Sequence, residues 1–368
     1  MPEPVVLAEY DPSWPAQFEA EKARLMAALG YCTEGGVAYH LEHVGSTSIP
    51  GMAAKPCIDI AVDAYPFPIP EARVKALQDI GYEYLGEHGL AGRQFFRKGS
   101  QIHLHVVSLE SEHGQRWILF RDYLRANLDR ASAYQKVKRQ LAVQHADDPS
   151  KYTGAKTDIV RELEREAYAW HIETTGFKPV EFVAEELEGL EIGWAISGGW
   201  ALDLFLGAPT RYHYDLDISV WREDLPLLQK RLLERGWRVH KIVDKGKYAV
   251  WEPGERLEPS VHQVHARRGE HEFLDFVITL RDGDSWVYRR MEEIRLPIEQ
   301  AIHVSQGSPH LAPEIMLLFK SATSSKDPRS KDQSDFERVL PKLPSERRVW
   351  LREALGRWKP GHPWLERL

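Results

Sequence analysis

The stretch that decides the fold runs Ser197-Gly198-Gly199-Trp200 and then Arg211-Tyr212-His213-Tyr214-Asp215-Leu216-Asp217-Ile218-Ser219-Val220. The apolar run Trp194–Ser197 reads as a short strand ending at a glycine pair, and Trp200–Leu206 as a short helix that stops at Gly207. Two glycines at a strand-to-helix turn let the backbone approach a phosphate closely, with free N–H groups at the helix start. The plain alternative is an ordinary turn. Asp215–Val220 reads as the next strand. Residues i and i+2 of a strand face the same way, which puts the two carboxylates on one face, about 6.6 Å apart along the chain. Leu216, Ile218 and Val220 anchor the other face. Two like charges held together are costly unless a cation sits between them, and carboxylate and phosphate oxygens suit Mg²⁺. The competing interpretation is a solvated acidic sheet edge.

A third acid, Asp275, sits in Phe273-Leu274-Asp275-Phe276-Val277. A lone charge in so apolar a run is expensive to bury unpaired. Asp275 is therefore a candidate metal ligand, or the base that takes the proton from an acceptor hydroxyl. A structural ion pair is the alternative. Ser197, Gly198 and Gly199 are candidates for seating phosphates, with Arg211 and Lys320 as candidate cationic partners for them, Lys320 as a point charge. A surface arginine and a lysine at the negative end of a helix dipole are their ordinary counterparts. Lys331-Asp332-x-x-Asp335-Phe336 reads as an acid pair at a helix start; it also resembles a segment of nucleotidyltransferase-like toxins, a resemblance that implies contact with nucleotide.

Working outward, the earlier half repeats the order of parts: helix Trp14–Leu29, strand Ala38–Val44, small-residue turn Gly45-Ser46-Thr47-Ser48, strand Ile58–Val62 and helix Ala72–Ile80. Strands at Gln94–Arg97 and Gln101–Val107 and three helices follow. This is a weak internal repeat. Asp59 has Ala61 at i+2, so the carboxylate pair is missing there, and His103 and His105 replace the later acid. Asp59, His103 and His105 form a candidate second metal site, where imidazole favours Zn, Mn or Fe over Mg. Gly45 and Ser46 are candidates for cradling phosphate, with Lys55, Arg93 and Lys138 as cationic partners. A degenerate domain that keeps only binding or structure is the alternative.

The bulk numbers bound these readings. A chain of 368 residues argues for two domains, expected at 1–175 and 179–368. Hydrophobic content of 43% and twelve Trp suffice for packed cores. A net charge of -7 argues against broad nucleic-acid binding. Cys32 and Cys57 have no metal-type spacing and fit a reducing compartment. No signal peptide or apolar run of about eighteen residues is found, so a cytoplasmic protein with no membrane segment is expected. The oligomeric state is left open.

The order Gly198-Gly199, Asp215-x-Asp217, then a lone Asp resembles the polymerase-beta-like nucleotidyltransferase superfamily. Gly198-Gly199-Trp200-Ala201-Leu202-Asp203 with Arg211-x-His213-x-Asp215-Leu216-Asp217 looks like its aminoglycoside and lincosamide adenylyltransferase group. Residues 1–172 resemble the GrpB family, through His43-Val44-Gly45-Ser46-Thr47-Ser48-Ile49-Pro50-Gly51, Lys55-Pro56, Ile58-Asp59-Ile60, His103-Leu104-His105-Val106 and Phe120-Arg121-Asp122-Tyr123-Leu124-Arg125. The resemblance implies an α+β protein of two nucleotidyltransferase-fold domains, each a small mixed sheet with flanking helices, plus C-terminal helices. It also implies transfer of a nucleoside monophosphate from an NTP, ATP in the first instance, to a hydroxyl of a small molecule. The cofactor would be Mg²⁺ (or Mn²⁺), held by Asp215, Asp217 and Asp275. Two alternatives stay open: a toxin-like enzyme acting on tRNA or protein, and a nucleotide- or metabolite-sensing protein without turnover.

Overall fold

Trp14, Phe18, Leu25 and Leu29 recur at helical spacing, and α1 (Trp14–Leu29) buries all four, with a proline in its first turn and Gly30 closing it at φ 79°. The structure is a computed structural model that describes residues 4–30, 38–65, 67–107, 112–213, 215–243, 247–268, 272–321 and 328–368. Cys32 and the last two residues of the helix expected over Ala312–Thr323 lie outside them. The chain divides into Met1–Thr174 and Thr175–Leu368.

In the first unit α1 is followed by β1 (Ala38–Val44), β2 (Ile58–Tyr65), α2 (Glu71–Asp79), β3 (Glu83–Tyr84), β4 (Gln94–Lys98) and β5 (Ile102–Val107). Helices α3 (Glu112–Ala126), α4 (Leu128–Gln144), α5 (Pro149–Ala155) and α6 (Thr157–Thr175) complete it. The sequence led us to expect one helix over Lys151–His171. It breaks at Lys156, where the Thr157 hydroxyl donates to the Gly154 carbonyl at 2.7 Å. The sheet order is β1-β2-β5-β4-β3. Only β2 and β5 run parallel. Ile58, Ile60, Val62 and Ala64 alternate along β2 and join Leu25, Phe96 and Leu104 in the core, as a half-buried strand requires.

The second unit opens with α7 (Lys178–Glu186), β6 (Trp194–Ile196), α8 (Gly198–Leu206), β7 (Asp217–Trp221), α9 (Leu225–Glu234), β8 (Arg238–Val243) and β9 (Lys247–Val250). Then come β10 (Gln263–Arg268), β11 (Glu272–Asp282), β12 (Ser285–Val287), β13 (Arg295–Pro297), α10 (Ile298–Ala301), β14 (Ile302–Ser305) and β15 (Ser308–Leu311). Three helices close it: α11 (Pro313–Lys320), α12 (Ser330–Val339) and α13 (Ser345–Trp358). Its sheet runs β14-β15-β6-β7-β11-β10-β8-β9, with β12 and β13 added beyond β11. This is a ten-stranded sheet, larger than the small one expected. Trp237, Trp251, Trp286, Phe276 and Phe336 fill its core.

The internal repeat is explicit in the topology. The path β1-β2-β5-β4-β3 matches β6-β7-β11-β10-β8, with the same single parallel pair in the middle, β2 with β5 and β7 with β11. The other pairings along both paths are antiparallel. The parallel pair sets Asp217 beside Asp275 in one unit and Asp59 beside His103 in the other.

Candidate functional site

Strand β7 begins at Asp217, two residues later than expected. The pairing still extends further back, because the Leu216 carbonyl accepts the Asp275 backbone N–H at 3.3 Å. Leu216 and Ile218 are buried while Asp215 and Asp217 are half-buried, so the alternation survives without the full strand. Residues in register on adjacent strands point to the same face. Asp217 and Asp275 are such a pair, and the main chain ties Asp215 to the same corner.

The glycine turn closes tightly over Asp217. Gly198 has φ 63°, and a Cβ there would lie 1.9 Å from Asp217 Oδ2. Only a residue without a side chain permits that approach. The Ser197 backbone N–H donates to the Asp217 carbonyl at 2.8 Å, and the Gly198 N–H to Met316 Sδ at 3.1 Å. A Cβ on Gly199 would meet His213 Nδ1 at 2.3 Å. His213 and Asp203 are both buried and hydrogen-bonded at 2.6 Å, so they brace the loop that leads to the acids. A cavity of about 270 Å³ lies beside this turn, lined among others by Ser197, Gly198, Asp217, Gln263, Arg289 and Lys320. Asp215 does not line it.

Asp275 is 5% exposed. Its Oδ2 accepts the Gln263 side-chain amide at 2.5 Å, and His265 Nε2 stands 3.5 Å from the same oxygen. Its Oδ1 is buried with no hydrogen-bond partner among the described residues, as is Ser197 Oγ. A buried carboxylate oxygen left unbonded is costly unless a ligand completes it. Carboxylates at this corner supply the hard oxygen donors that Mg²⁺ or Mn²⁺ takes. Gln263, His265 and Arg289 were not singled out from the sequence. The alternation Gln263-Val264-His265-Ala266-Arg267 was the available signal, and it forms β10, a strand the sequence reading did not predict.

The two candidate cations are already paired. Arg211 donates from Nε and Nη2 to the two Asp335 carboxylate oxygens, each at 3.1 Å, and it does not line the cavity. Lys320 does line it, with Nζ 3.1 Å from Asp332 and 2.9 Å from Asp335. Asp332 and Asp335 are thus the buried anionic half of an ionic cluster on α12, which places that acid pair as a brace for Arg211 and Lys320. Burial alone would raise the Asp335 carboxyl, but the Arg211 hydrogen bond and the Lys320 charge outweigh it and hold it well below the usual carboxylate range.

The first unit carries a parallel corner of different chemistry. Gly45, at φ 71°, lies over Asp59, and a Cβ there would meet Asp59 Oδ2 at 2.4 Å. Ser46 opens the short 3-10 turn Ser46–Ser48 that follows Gly45. Asp59 Oδ1 receives His103 Nδ1 at 3.3 Å and His105 Nε2 at 3.4 Å. Burial pushes the Asp59 carboxyl up, yet these two hydrogen bonds outweigh it and hold the group well below its ordinary value. Lys138 is buried, donates to the Ala53 carbonyl at 2.7 Å and is lowered to about 7 by burial. Burial, with Lys55 nearby, lowers Lys156 to about 8. Arg93 is spent on the Glu87 and His88 carbonyls and on His105. The register corrects one expectation. Asp59 is the counterpart of Asp217, so the position to compare with Asp215 is Cys57, not Ala61.

Comparison with known proteins places both halves. The family model described as GrpB protein matches residues 4–166, and the one described as Aminoglycoside-2''-adenylyltransferase matches residues 156–268. The second match covers Ser197, Asp217 and Gln263 and ends before Asp275. The protein YqkA of Bacillus subtilis is 37% identical over 164 residues, 44% of this chain and 46% of its own, so the chain spans about half the length of that relative. A protein of Halalkalibacterium halodurans is 36% identical over 167 residues, 45% of this chain and 83% of its own. The structure of ANT(2")-Ia in complex with adenylyl-2"-tobramycin is 18% identical, covering 49% of this chain and 99% of its own at a TM-score of 0.35. No helix among the described residues is long and apolar enough to cross a membrane. Through residues 4–166 the chain belongs to the GrpB family, and it joins to that part a segment similar to the aminoglycoside adenylyltransferases.

Proposed function

We propose that the second unit is a nucleotidyltransferase that moves a nucleoside monophosphate from an NTP, in the first instance ATP, to a hydroxyl of a small molecule. The observation that carries this reading is the in-register pair Asp217 and Asp275, with Asp217 lining the cavity, the Gly198 turn pressed onto Asp217, and Asp275 Oδ1 buried and unbonded behind it. Asp215 and Asp217 would hold Mg²⁺ or Mn²⁺, which neutralises charge on the phosphates and polarises the α-phosphorus.

The Gln263 side-chain amide pins one oxygen of Asp275, which leaves the other to accept a proton from the acceptor hydroxyl. That hydroxyl oxygen bonds to the α-phosphorus as the bond to the bridging oxygen breaks, and pyrophosphate leaves with its electron pair. Lys320 and Arg289 line the cavity and supply positive charge for the departing phosphates. The Asp332–Asp335 pair fixes Lys320 in place.

The test incubates the purified full chain with α-labelled NTPs and Mg²⁺ or Mn²⁺ against aminoglycosides, lincosamides and bulk tRNA. Label transfer and pyrophosphate release that require both metal and a small hydroxylated acceptor are expected. Calorimetric NTP binding with no release for any acceptor would turn the reading into a sensor, and transfer to tRNA alone would overturn the small-molecule assignment. Gly198→Ala follows from the same geometry. The new methyl must displace the Asp217 carboxylate, and the left-handed backbone adds about 1–3 kcal/mol of strain. Loss of nearly all transfer, with melting lowered by a few degrees, is expected; retained activity would mean that the close approach is not required.

A further inference from the structure

We propose that the first unit holds a divalent transition metal, Zn²⁺ by donor type, between Cys57 Sγ, the Asp59 carboxylate and the His103 imidazole. This is independent of the reading given to the second unit. The two sheets share one path, and the register places three chemical positions in correspondence. Asp59 stands where Asp217 stands, His103 where Asp275 stands, and Cys57, two residues before Asp59, where Asp215 stands. A set of three carboxylates has become thiol, carboxylate and imidazole.

The side chains meet that description. One donor atom from each of Cys57, Asp59 and His103 lies within 4.8 Å of the other two. His103 Nδ1 is 3.3 Å from Asp59 Oδ1. Two ligands of a tetrahedral zinc, each about 2.1 Å from the ion, stand about 3.4 Å apart. The gap therefore already has the span of one tetrahedral edge. Thiolate and imidazole are soft or intermediate donors that suit zinc and cobalt and serve Mg²⁺ poorly.

His105 plays a different part from the one expected of it. Arg93 has only donors to offer, and its Nη1 lies 3.1 Å from His105 Nδ1. His105 Nδ1 must then be the acceptor and Nε2 must carry the proton, which points at Asp59 Oδ1. An imidazole nitrogen that holds a proton cannot ligate. His105 is the positioning residue that orients the Asp59 carboxylate, the usual partner behind a metal ligand. Three protein ligands leave one position open on a tetrahedral ion. Binding releases the Cys57 thiol proton to solvent, since the thiolate is the ligand.

The experiment strips the full chain with a chelator and titrates Co²⁺, then Zn²⁺, in excess Mg²⁺. A sulfur-to-cobalt absorption in the near ultraviolet is expected, displaced by Zn²⁺ and untouched by Mg²⁺. Cys57→Ser should abolish it, while Cys32→Ser and Asp217→Asn should keep it. His103→Ala should lower Zn²⁺ affinity roughly tenfold to a hundredfold or more. No thiolate band, a band that survives in Cys57→Ser, or unchanged Zn²⁺ affinity in His103→Ala would each overturn the proposal. Cys57→Ser and His103→Ala act on different ligands, so misfolding of one leaves the other decisive.

Discussion

Asp217→Asn is expected to lower nucleotidyl transfer by roughly a thousandfold or more while the melting temperature hardly moves. The size follows from what the carboxylate would hold. A cation that neutralises developing charge at phosphorus is worth several kcal/mol, and about 4 kcal/mol is roughly three factors of ten in rate. Asparagine keeps the shape and one oxygen but loses the charge. The fold has little to lose. Asp217 is half-buried at the first residue of β7, and Ile218, Val220 and Trp221 provide the strand's core contacts. The change also removes one of two like charges set side by side in register. Asp275→Asn should give a comparable loss, with a steeper dependence on pH if the group acts as the base. Transfer by Asp217→Asn at the parent rate, measured under saturating metal and NTP, would remove the acid corner from the mechanism.

The parts of this corner that were legible in the sequence are local ones. Leu216, Ile218 and Val220 alternate with the acids, Gly198 and Gly199 punctuate the turn before them, and Asp275 stands out because its neighbours are apolar. Period-2 patterning and glycine chemistry act over a few residues. What escaped were the features set by long-range pairing. β10 reads as a polar mixture until it is seen between β8 and β11. Arg211 looked unengaged because its partner Asp335 lies 124 residues later. Cys57 carried no signal at all. Its correspondence with Asp215 exists only once the parallel pairing of β2 with β5 is compared with that of β7 with β11. The misplaced expectation at Ala61 came from applying the right rule in the wrong direction along the strand.

Asp335→Ala should do the reverse of Asp217→Asn, with a large loss of stability. Asp335 is 4% exposed and carries the charge balance for three cations: Arg211 at 3.1 Å, Lys320 at 2.9 Å and Arg338 at 2.6 Å. Taking one partner from a buried pair leaves uncompensated charge and costs about 3–5 kcal/mol. The cations keep some access to water, with exposures of 24%, 11% and 32%, and Asp332 still holds Lys320, so about 2–4 kcal/mol is the expectation here. At roughly 2–4 °C per kcal/mol, melting of the second unit falls by about 5–15 °C. The acid limb gives an independent check. The folded-state carboxyl is depressed, so its contribution is complete above the unfolded value of about 4 and is lost as pH falls below it. The parent should therefore lose stability steeply below about pH 4, and Asp335→Ala should show a shallower limb. Asp335→Asn, which keeps the shape, should sit between the two. Transfer should also fall in Asp335→Ala, because Arg211 packs against Gly199 and Lys320 lines the cavity, but by less than in Asp217→Asn. A melting temperature and acid limb both equal to the parent's would mean that the ionic cluster contributes nothing to holding that face together, and Lys320 would then need another anchor.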